Sequence, residues 1–390
     1  MPWSKPPTPP FALDSGRLAS PFFQSPEDRI GLARERFFGD GERPSGLVSE
    51  PVIQSWTRCI RSQRPPTETV AFDMVDRARV SNLLARHHRL LRAAREELIQ
   101  LDQALAGSPC KAMLTSPDGV VLHATPTARD EGRLMPVIAR VGVNIGEATV
   151  GTGAPGVAAR TGEACMVLGG EHYFDVLRHL HCAAAPVRDG RGRLAAVLDL
   201  SSEGETFRFD AAALVRLYAS AIENRLIEAQ VRGPLLLRMQ TRPDWLRSSL
   251  EGLLGLDEDG RVLAINAAAA TLLGCPRVPE LIGPAEAWLG LGPAALQARL
   301  DAPGPQALAL PGGLTIWVER VLGAGRTIDA EAPPIELAPV PLRTLGHDAI
   351  RQTLAQCKGN LSEAARRLGV SRGYIYRRLD ALREADDGAG

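Results

Sequence analysis

Residues 357–382 read CKGNLSEAARRLGVSRGYIYRRLDAL, and this stretch decides the fold of the C-terminal part of the chain. Ser362 can cap a helix, and Gly369 can end it because glycine accepts the left-handed backbone that follows a helix. Ser371 can then cap the next helix, which leaves a turn of only three residues. This arrangement is typical of a helix-turn-helix. The predicted helices cover 345–357, 362–368 and 372–383.

The same segment is basic. Nine basic and three acidic residues lie between Arg343 and Arg383, although the whole chain carries 45 of each sign. A local positive surplus favours phosphate binding, and the second helix of such a motif places its first residues in the major groove. A charged helical hairpin that only dimerises is the alternative, but it does not account for the capping, the short turn and the basic bias together. The predicted DNA-binding residues are Ser371, Arg372, Gly373, Tyr374, Tyr376, Arg377 and Arg378.

The composition of the 390 residues indicates a globular protein of two or three domains. Hydrophobic residues make up 45% and charged residues 23%. No run of about 18 apolar residues predicts a membrane span, and the start of the chain lacks the pattern of a secretory signal. The six cysteines are scattered without a CxxC pair, which fits a reducing cytosol. We therefore expect a cytoplasmic protein without membrane contact.

Turn signals between apolar runs predict β-hairpins in the middle of the chain. They stand at 117–119, 189–192, 257–260 and 312–313. Helical periodicity predicts helices over Pro51–Cys59, Val75–Leu105, 210–229 and, after the third hairpin, Ala267–Leu273. Hairpins followed by helices indicate an α+β multidomain fold with antiparallel sheets and an all-α C-terminal helix-turn-helix.

The chain also resembles a known family. The C-terminal run resembles the Fis-type helix-turn-helix of bacterial enhancer-binding regulators. SWTRC at 55–59 and, across roughly 108–227, the pieces TSPDGVVL, GEATVGTGAPGVA, GGEHYF, LHCAAAPVRDGRGRLAAVLDLS and AIENRL resemble acetoin-catabolism-type, sigma-54-dependent activators. The resemblance implies a GAF sensor for a small-molecule effector, a PAS-like domain at 243–325, and a homodimer bound to inverted repeats of double-stranded DNA. The predicted domains are a disordered tail at 1–45 that allows a short helix at 26–38, a helical region at 46–106, a GAF-like domain at 107–230, a PAS-like domain at 240–326, a linker at 327–341 and the helix-turn-helix at 342–384.

The ATPase module of that family has no counterpart in the sequence. There is no GxxxxGK[ST] loop, and no lysine lies between Lys111 and Lys358 to contact a phosphate. The GAFTGA-type loop that engages sigma-54 polymerase is also absent. These features predict a ligand-responsive DNA-binding regulator, not an enzyme, that acts without its own ATPase. It would repress, compete, or act with another activator, and its expected protein partner is RNA polymerase or a related activator. The alternative is an adaptor that hetero-oligomerises with a full-length ATPase activator.

The resemblance places the effector pocket near Glu147, Thr152, His172 and Cys182. Other chemistries are less favoured by the residues. A metal could use Glu171, His172, His179, His181 and Cys182, but a polar rim around a pocket explains the same residues. GTGAPG at 151–156 fits the bare GxGxxG spacing, but Pro155 is expected to break the following helix. A redox-sensing Cys182 is less favoured than a buried small residue, and no GxSxG supports a hydrolase. No cofactor is predicted.

Overall fold

The computed structural model describes residues 23, 25–72, 77–126, 132–231, 235–321 and 360. Within them the protein has two five-stranded antiparallel sheets, each covered by helices. This confirms a mixed fold with antiparallel sheets. The predicted linker and helix-turn-helix lie outside the described residues except for Asn360, so the seven DNA-binding residues remain predictions there.

The first sheet is built from two hairpins and an edge strand, in the order β2-β1-β5-β4-β3. Its strands are β1 (Lys111–Thr115), β2 (Val121–Ala124), β3 (Cys165–Leu168), β4 (Leu180–Arg188) and β5 (Leu194–Glu203). The predicted turns at 117–119 and 189–192 join β1 to β2 and β4 to β5. Gly119 in the first turn has φ +84°, and an added Cβ would lie 2.3 Å from the backbone of Gly146, so only glycine fits there.

Helices cover both faces of this sheet. They are α1 (Pro26–Arg34), which continues as a π-helical segment (Glu35–Asp40), α2 (Glu50–Arg61), α3 (Arg77–Arg86), α4 (His88–Ala104), α5 (Met135–Ile138), α6 (Glu147–Val150), α7 (Ala154–Thr161) and α8 (Ala211–Gln230). One apolar core lies between the sheet and α4 with α8. The second core lies on the opposite face, under α1, α2 and α5 to α7. The candidate site described below belongs to this second core.

The second sheet is also five-stranded and antiparallel, but its central strand has a different place along the chain. Its strands are β6 (Leu235–Gln240), β7 (Gly252–Leu256), β8 (Val262–Ile265), β9 (Gln306–Ala309) and β10 (Thr315–Arg320), in the order β8-β7-β6-β10-β9. Between β8 and β9 lie α9 (Ala267–Leu273), α10 (Glu286–Leu289) and α11 (Pro293–Leu300). In the first sheet the central strand β5 comes last along the chain, whereas here the central strand β6 comes first.

The two sheets are joined through α8. Ile222 and Leu226 pack into the core of the first sheet, and Ile227, one residue further, packs with residues of the second. Asn266 at the start of α9 donates to Asn224 of α8 at 2.8 Å, and its Oδ1 accepts from two backbone N–H groups. This buried amide is therefore fully used in holding the two sheets together.

The hairpin between β4 and β5 makes a second connection. The backbone N–H of Ile265 in β8 donates to the carbonyl of Gly190 at 2.9 Å. A Cβ on Gly190 would lie 2.6 Å from the Cβ of Ala264, so the hairpin can approach β8 this closely only with glycine. An ion pair between Arg277 and Glu223 of α8 lies beside it. The hairpin that joins β4 and β5, two strands of the candidate site, therefore contacts the second sheet.

Three sequence predictions need correction. The tail predicted as disordered to residue 45 is helical over α1 and the π-helical segment, at the place where the sequence allows a short helix (26–38), because Ile30 and Ala33 are buried in the second core. The single helix predicted over Val75–Leu105 is α3 and α4, divided at His87, since no side chain at 85–89 is buried to favour a continuous helix. The second domain begins before residue 240, because β6 is its central strand.

Candidate functional site

A small cavity whose walls are mostly buried side chains lies between the first sheet and the helices of the second core. Its volume is about 30 Å³, and most of its wall is apolar. Four polar side chains interrupt this wall, and all four are nearly inaccessible to solvent. They are His172, Cys182, Asp199 and Ser201, which we call the buried polar cluster. The apolar wall is formed by Phe72, Met113, Ile138, Ile145, Val150, Gly153, Pro155, Leu177 and Leu180.

Asp199 stands at the centre of the sheet. It lies on β5 opposite Met113 of β1 and Ala184 of β4, with no exposed surface. Its Oδ2 accepts a hydrogen bond from Ser201 at 2.7 Å, and its Oδ1 has no hydrogen-bond partner among the residues that the structure describes. Burial raises the pKa of this carboxyl to about 7, although the Ser201 hydroxyl works in the opposite direction. A carboxyl that is half protonated near neutral pH therefore faces the cavity.

The other members of the cluster continue from Ser201. Its hydroxyl lies 3.1 Å from the Cys182 sulfur, which lies 3.5 Å from Nε2 of His172. The Nδ1 of His172 is 3.0 Å from the carbonyl of Gly169, which can only accept, so Nδ1 carries the proton. Burial lowers the pKa of His172 to about 4, and the ring is neutral at physiological pH. Nε2 is then an acceptor for the Cys182 thiol.

An N-terminal strap, residues 26–72, closes this side of the domain. Phe72 lines the cavity, and Trp56 of α2 is fully buried and donates from its indole nitrogen to the carbonyl of Glu171 at 2.7 Å. Arg34 of α1 donates to the carbonyls of residues 170, 172 and 173 and pairs with Asp175 at 3.2 Å. Burial lowers the pKa of Arg34 to about 10, so it stays charged. The strap is thereby fixed to the segment that carries His172.

The four residues predicted for the pocket fall into two pairs. His172 and Cys182 meet in the buried polar cluster. Glu147 and Thr152 instead contact the strap: the Ser55 hydroxyl donates to Glu147 at 2.7 Å and lies 2.8 Å from the Thr152 hydroxyl. Arg58 adds a two-point ion pair to Glu147, at 2.6 and 2.7 Å. The second pair therefore secures α2 and does not line the cavity.

Sequence reasoning missed Asp199 and Ser201. A signal for them exists in LAAVLDLSS, where one acid stands inside an otherwise apolar strand. In a sheet with cores on both faces, such an acid must be buried, and a buried carboxyl without an ion pair is unusual. Alternation along β5 also places Asp199 and Ser201 on one face with Val197.

The alternatives weighed from the sequence can be compared with the geometry. Among the described residues no group of three or more His, Cys, Asp or Glu side chains is arranged to hold a metal ion. Burial raises the pKa of the Cys182 thiol well above its usual range, so it behaves as a buried small residue. The expectation that Pro155 breaks the helix is wrong: α7 begins at Ala154, and proline is tolerated in a first turn because its missing N–H is not needed there.

Comparison with known proteins gives the family. Residues 26–223, just over half of the chain, match the family described as MimR, N-terminal domain, and residues 341–382 match the description "Bacterial regulatory protein, Fis family". The chain therefore belongs to the MimR N-terminal domain family, and a Fis-family helix-turn-helix segment follows that domain.

The helices in the described part of the chain include none with the length and apolar character of a membrane span.

The relatives are named as transcriptional regulators, not as enzymes. The acetoin catabolism regulatory protein of Cupriavidus necator is 30% identical over 233 residues, 58% of this chain and 35% of that protein. The propane 2-monooxygenase operon transcriptional activator MimR of Mycolicibacterium goodii is 29% identical over 199 residues, 50% of this chain and 32% of that protein. The match thus spans about a third of these curated relatives. A crystal structure of the E. coli DhaR(N)-DhaL complex is 18% identical with a TM-score of 0.44, covering 69% of this chain and 98% of that chain.

Proposed function

We propose that this protein is a ligand-responsive, DNA-binding transcriptional regulator that acts without an ATPase of its own. The Fis-family match at residues 341–382 is the observation that carries this proposal. The relatives are named as a regulatory protein and an operon transcriptional activator, which supports the same role. In this proposal the first sheet with its helices is a GAF-like sensor, the second is a PAS-like domain, and a homodimer reads the two halves of an inverted repeat in the cytoplasm.

The cavity beside Asp199 supports the sensing part of the proposal. The strap contributes Phe72 to its wall, β4 and β5 line it, and these two strands end in the hairpin that bonds to β8. A small molecule can alter DNA binding only if it favours one arrangement of the protein over another. A cavity that must enlarge to accept a molecule supplies such a difference, and α8 supplies a rigid connection to the second domain.

The first experiment is selection of genomic DNA fragments by the purified full chain, followed by sequencing. We expect one shared inverted repeat to be enriched. Changing Arg372, Arg377 and Arg378 together to Ala should abolish enrichment, because these side chains are assigned to base edges and phosphates. The matched control replaces the three exposed residues Arg160, Arg208 and Arg216 with Ala; it removes the same positive charge without changing the predicted recognition helix.

Loss of enrichment in the first variant but not in the control supports the proposal. A folded protein that enriches no sequence contradicts it. That outcome would favour the adaptor alternative, in which the chain acts by pairing with a full-length ATPase activator. Phosphate release from ATP, measured with the same preparation, should stay at the buffer background.

A further inference from the structure

We propose that the cavity beside Asp199 binds a small uncharged molecule that donates a hydrogen bond, from a hydroxyl or an amide N–H, to Oδ1 of Asp199. This inference rests on the proposed sensing role and names its ligand class. Within the described part of the chain, Oδ1 is a fully buried polar atom without a partner, and it belongs to a side chain that lines the cavity. Buried polar atoms are almost always paired in folded proteins, so an orphaned one in a cavity wall points to a missing partner.

The hydrogen-bond directions in the buried polar cluster favour a donor as this partner in two protonation states of Asp199. His172 donates through Nδ1 to a carbonyl, so its Nε2 accepts from the thiol of Cys182. The thiol sulfur can in turn accept from Ser201, and Ser201 can accept from a protonated Asp199 at Oδ2. In that state all the hydrogen bonds run in one direction and Oδ1 is left as an acceptor. In the ionised state Ser201 donates to Oδ2, and Oδ1 is again an acceptor.

The surroundings favour a ligand without charge. The wall is apolar apart from the cluster, and a cation entering it would lose its hydration. Burial favours the uncharged forms of both His172 and Asp199, so forming an ion pair there would first require the carboxyl to ionise in a buried site. An uncharged donor loses far less hydration and pairs with Oδ1.

The volume of the cavity limits the size of the ligand and makes the binding of a larger molecule depend on the strap. A single ordered water needs about 10–15 Å³ of such volume, so about 30 Å³ accommodates only two or three non-hydrogen atoms as the protein stands. A molecule of about five non-hydrogen atoms needs the wall to move, and we expect Phe72, the wall residue that the strap contributes, to move. Ligand entry is thereby linked to movement of the strap, which Arg34 and Trp56 otherwise hold in place.

The test compares three probes of equal size: 2-butanol, which can donate, 2-butanone, which can only accept, and 2-aminobutane, which is a cation at pH 7. Binding to the full chain is measured by ligand-observed NMR and by the shift of the thermal unfolding midpoint. We expect 2-butanol to bind at least about tenfold more tightly than either of the others, the usual effect of one hydrogen bond to a buried acceptor. In the Asp199→Asn variant this preference should fall to nearly nothing, because an amide presents either a donor or an acceptor. Asp259→Asn, an exposed change in the second domain, is the matched control.

Each other result overturns the inference. Tighter binding of 2-butanone shows that Asp199 donates, and tighter binding of 2-aminobutane shows a cation site. If none of the three binds while the same preparation still enriches an operator, the ligand class is wrong and the regulator proposal stands. If the Asp199→Asn protein does not fold, the comparison of probes on the unaltered protein still decides the question.

Discussion

The buried carboxyl of Asp199 makes the stability of the first domain depend on pH in a direction opposite to that of most acids. The folded pKa of about 7 lies above the ordinary value of 3.8. Between these two pH values the unfolded chain has released the proton and the folded protein has kept it. Folding therefore takes up a proton, and stability falls as pH rises from about 4 to about 7. Above pH 7 both states are ionised and the loss is constant.

The magnitude follows from the same two values. Each unit of pKa difference corresponds to about 1.4 kcal/mol, so the carboxyl costs on the order of 4 kcal/mol at pH 7 relative to pH 4. In the Asp199→Asn variant, the amide at position 199 does not titrate between pH 4 and pH 7. The unfolding free energy of the variant, minus that of the unaltered protein, should therefore rise by this amount across the window. Any constant offset caused by packing of the amide is measured at pH 4.

The assay is urea unfolding of both proteins at half-unit steps from pH 4 to pH 8, followed by circular dichroism and tryptophan fluorescence. His172 contributes in the opposite direction, because its folded pKa of about 4 lies below the ordinary 6.5 and its contribution to stability is lost as pH falls through that range. Both proteins contain His172, so it cancels in the difference. A difference that stays flat between pH 4 and pH 7 would refute the argument that Asp199 is buried and protonated.

Three further predictions concern the strap and the connection between the sheets. Arg34→Met should lower the unfolding free energy by about 2–3 kcal/mol, since it leaves several buried carbonyls unpaired, and should speed tryptic cleavage of the strap; unchanged cleavage would contradict its anchoring role. Asn266→Ala should cost about 2–3 kcal/mol through loss of a helix cap and of the bond to α8, and should split thermal unfolding into two steps in calorimetry. Gly190→Ala should speed hydrogen exchange in β8, because the new methyl group meets Ala264, whereas the control Gly312→Ala has free space and should not; equal exchange in both variants would count against a tight hairpin contact.

Local signals predicted the elements that the chain forms from neighbouring residues. The hairpin turns, the helix over 210–229 and the helix at Ala267–Leu273 all follow from turn residues and periodicity, and the structure contains each of them. These features depend on contacts within a few residues. The strand β6 was missed because LLLRMQ is a short apolar run whose partners, β7 and β10, are fixed only by the complete sheet.

The sequence predicts only part of the candidate site, because the remaining contacts join residues that are far apart along the chain. His172 and Cys182 were singled out from sequence, and they meet because register places β3 beside β4 and the 3-10 turn after β3 beside both. Glu147 and Thr152 were placed with them by family order, yet α2 approaches from far away in the sequence and pairs with both. A local sequence pattern does not predict this packing between residues that are far apart along the chain. Asp199 was overlooked because a lone acid in a strand resembles an exposed position until both faces of the sheet are known to be covered.

The position of β6 gives the second domain a particular kind of connection. The chain enters this domain at β6, directly after α8, and leaves it at β10, which pairs with β6 so that the N–H of Val321 bonds to the carbonyl of Leu236 at 2.8 Å. The strands at which the chain enters and leaves the domain are adjacent, so the residues from β7 to β9 form an insertion between two paired strands. Such an insertion can be enlarged, shortened or replaced during evolution while the distance between α8 and β10 stays the same. The shortest hydrogen-bonded path from α8 to residue 321 likewise crosses only one pair of strands, β6 and β10.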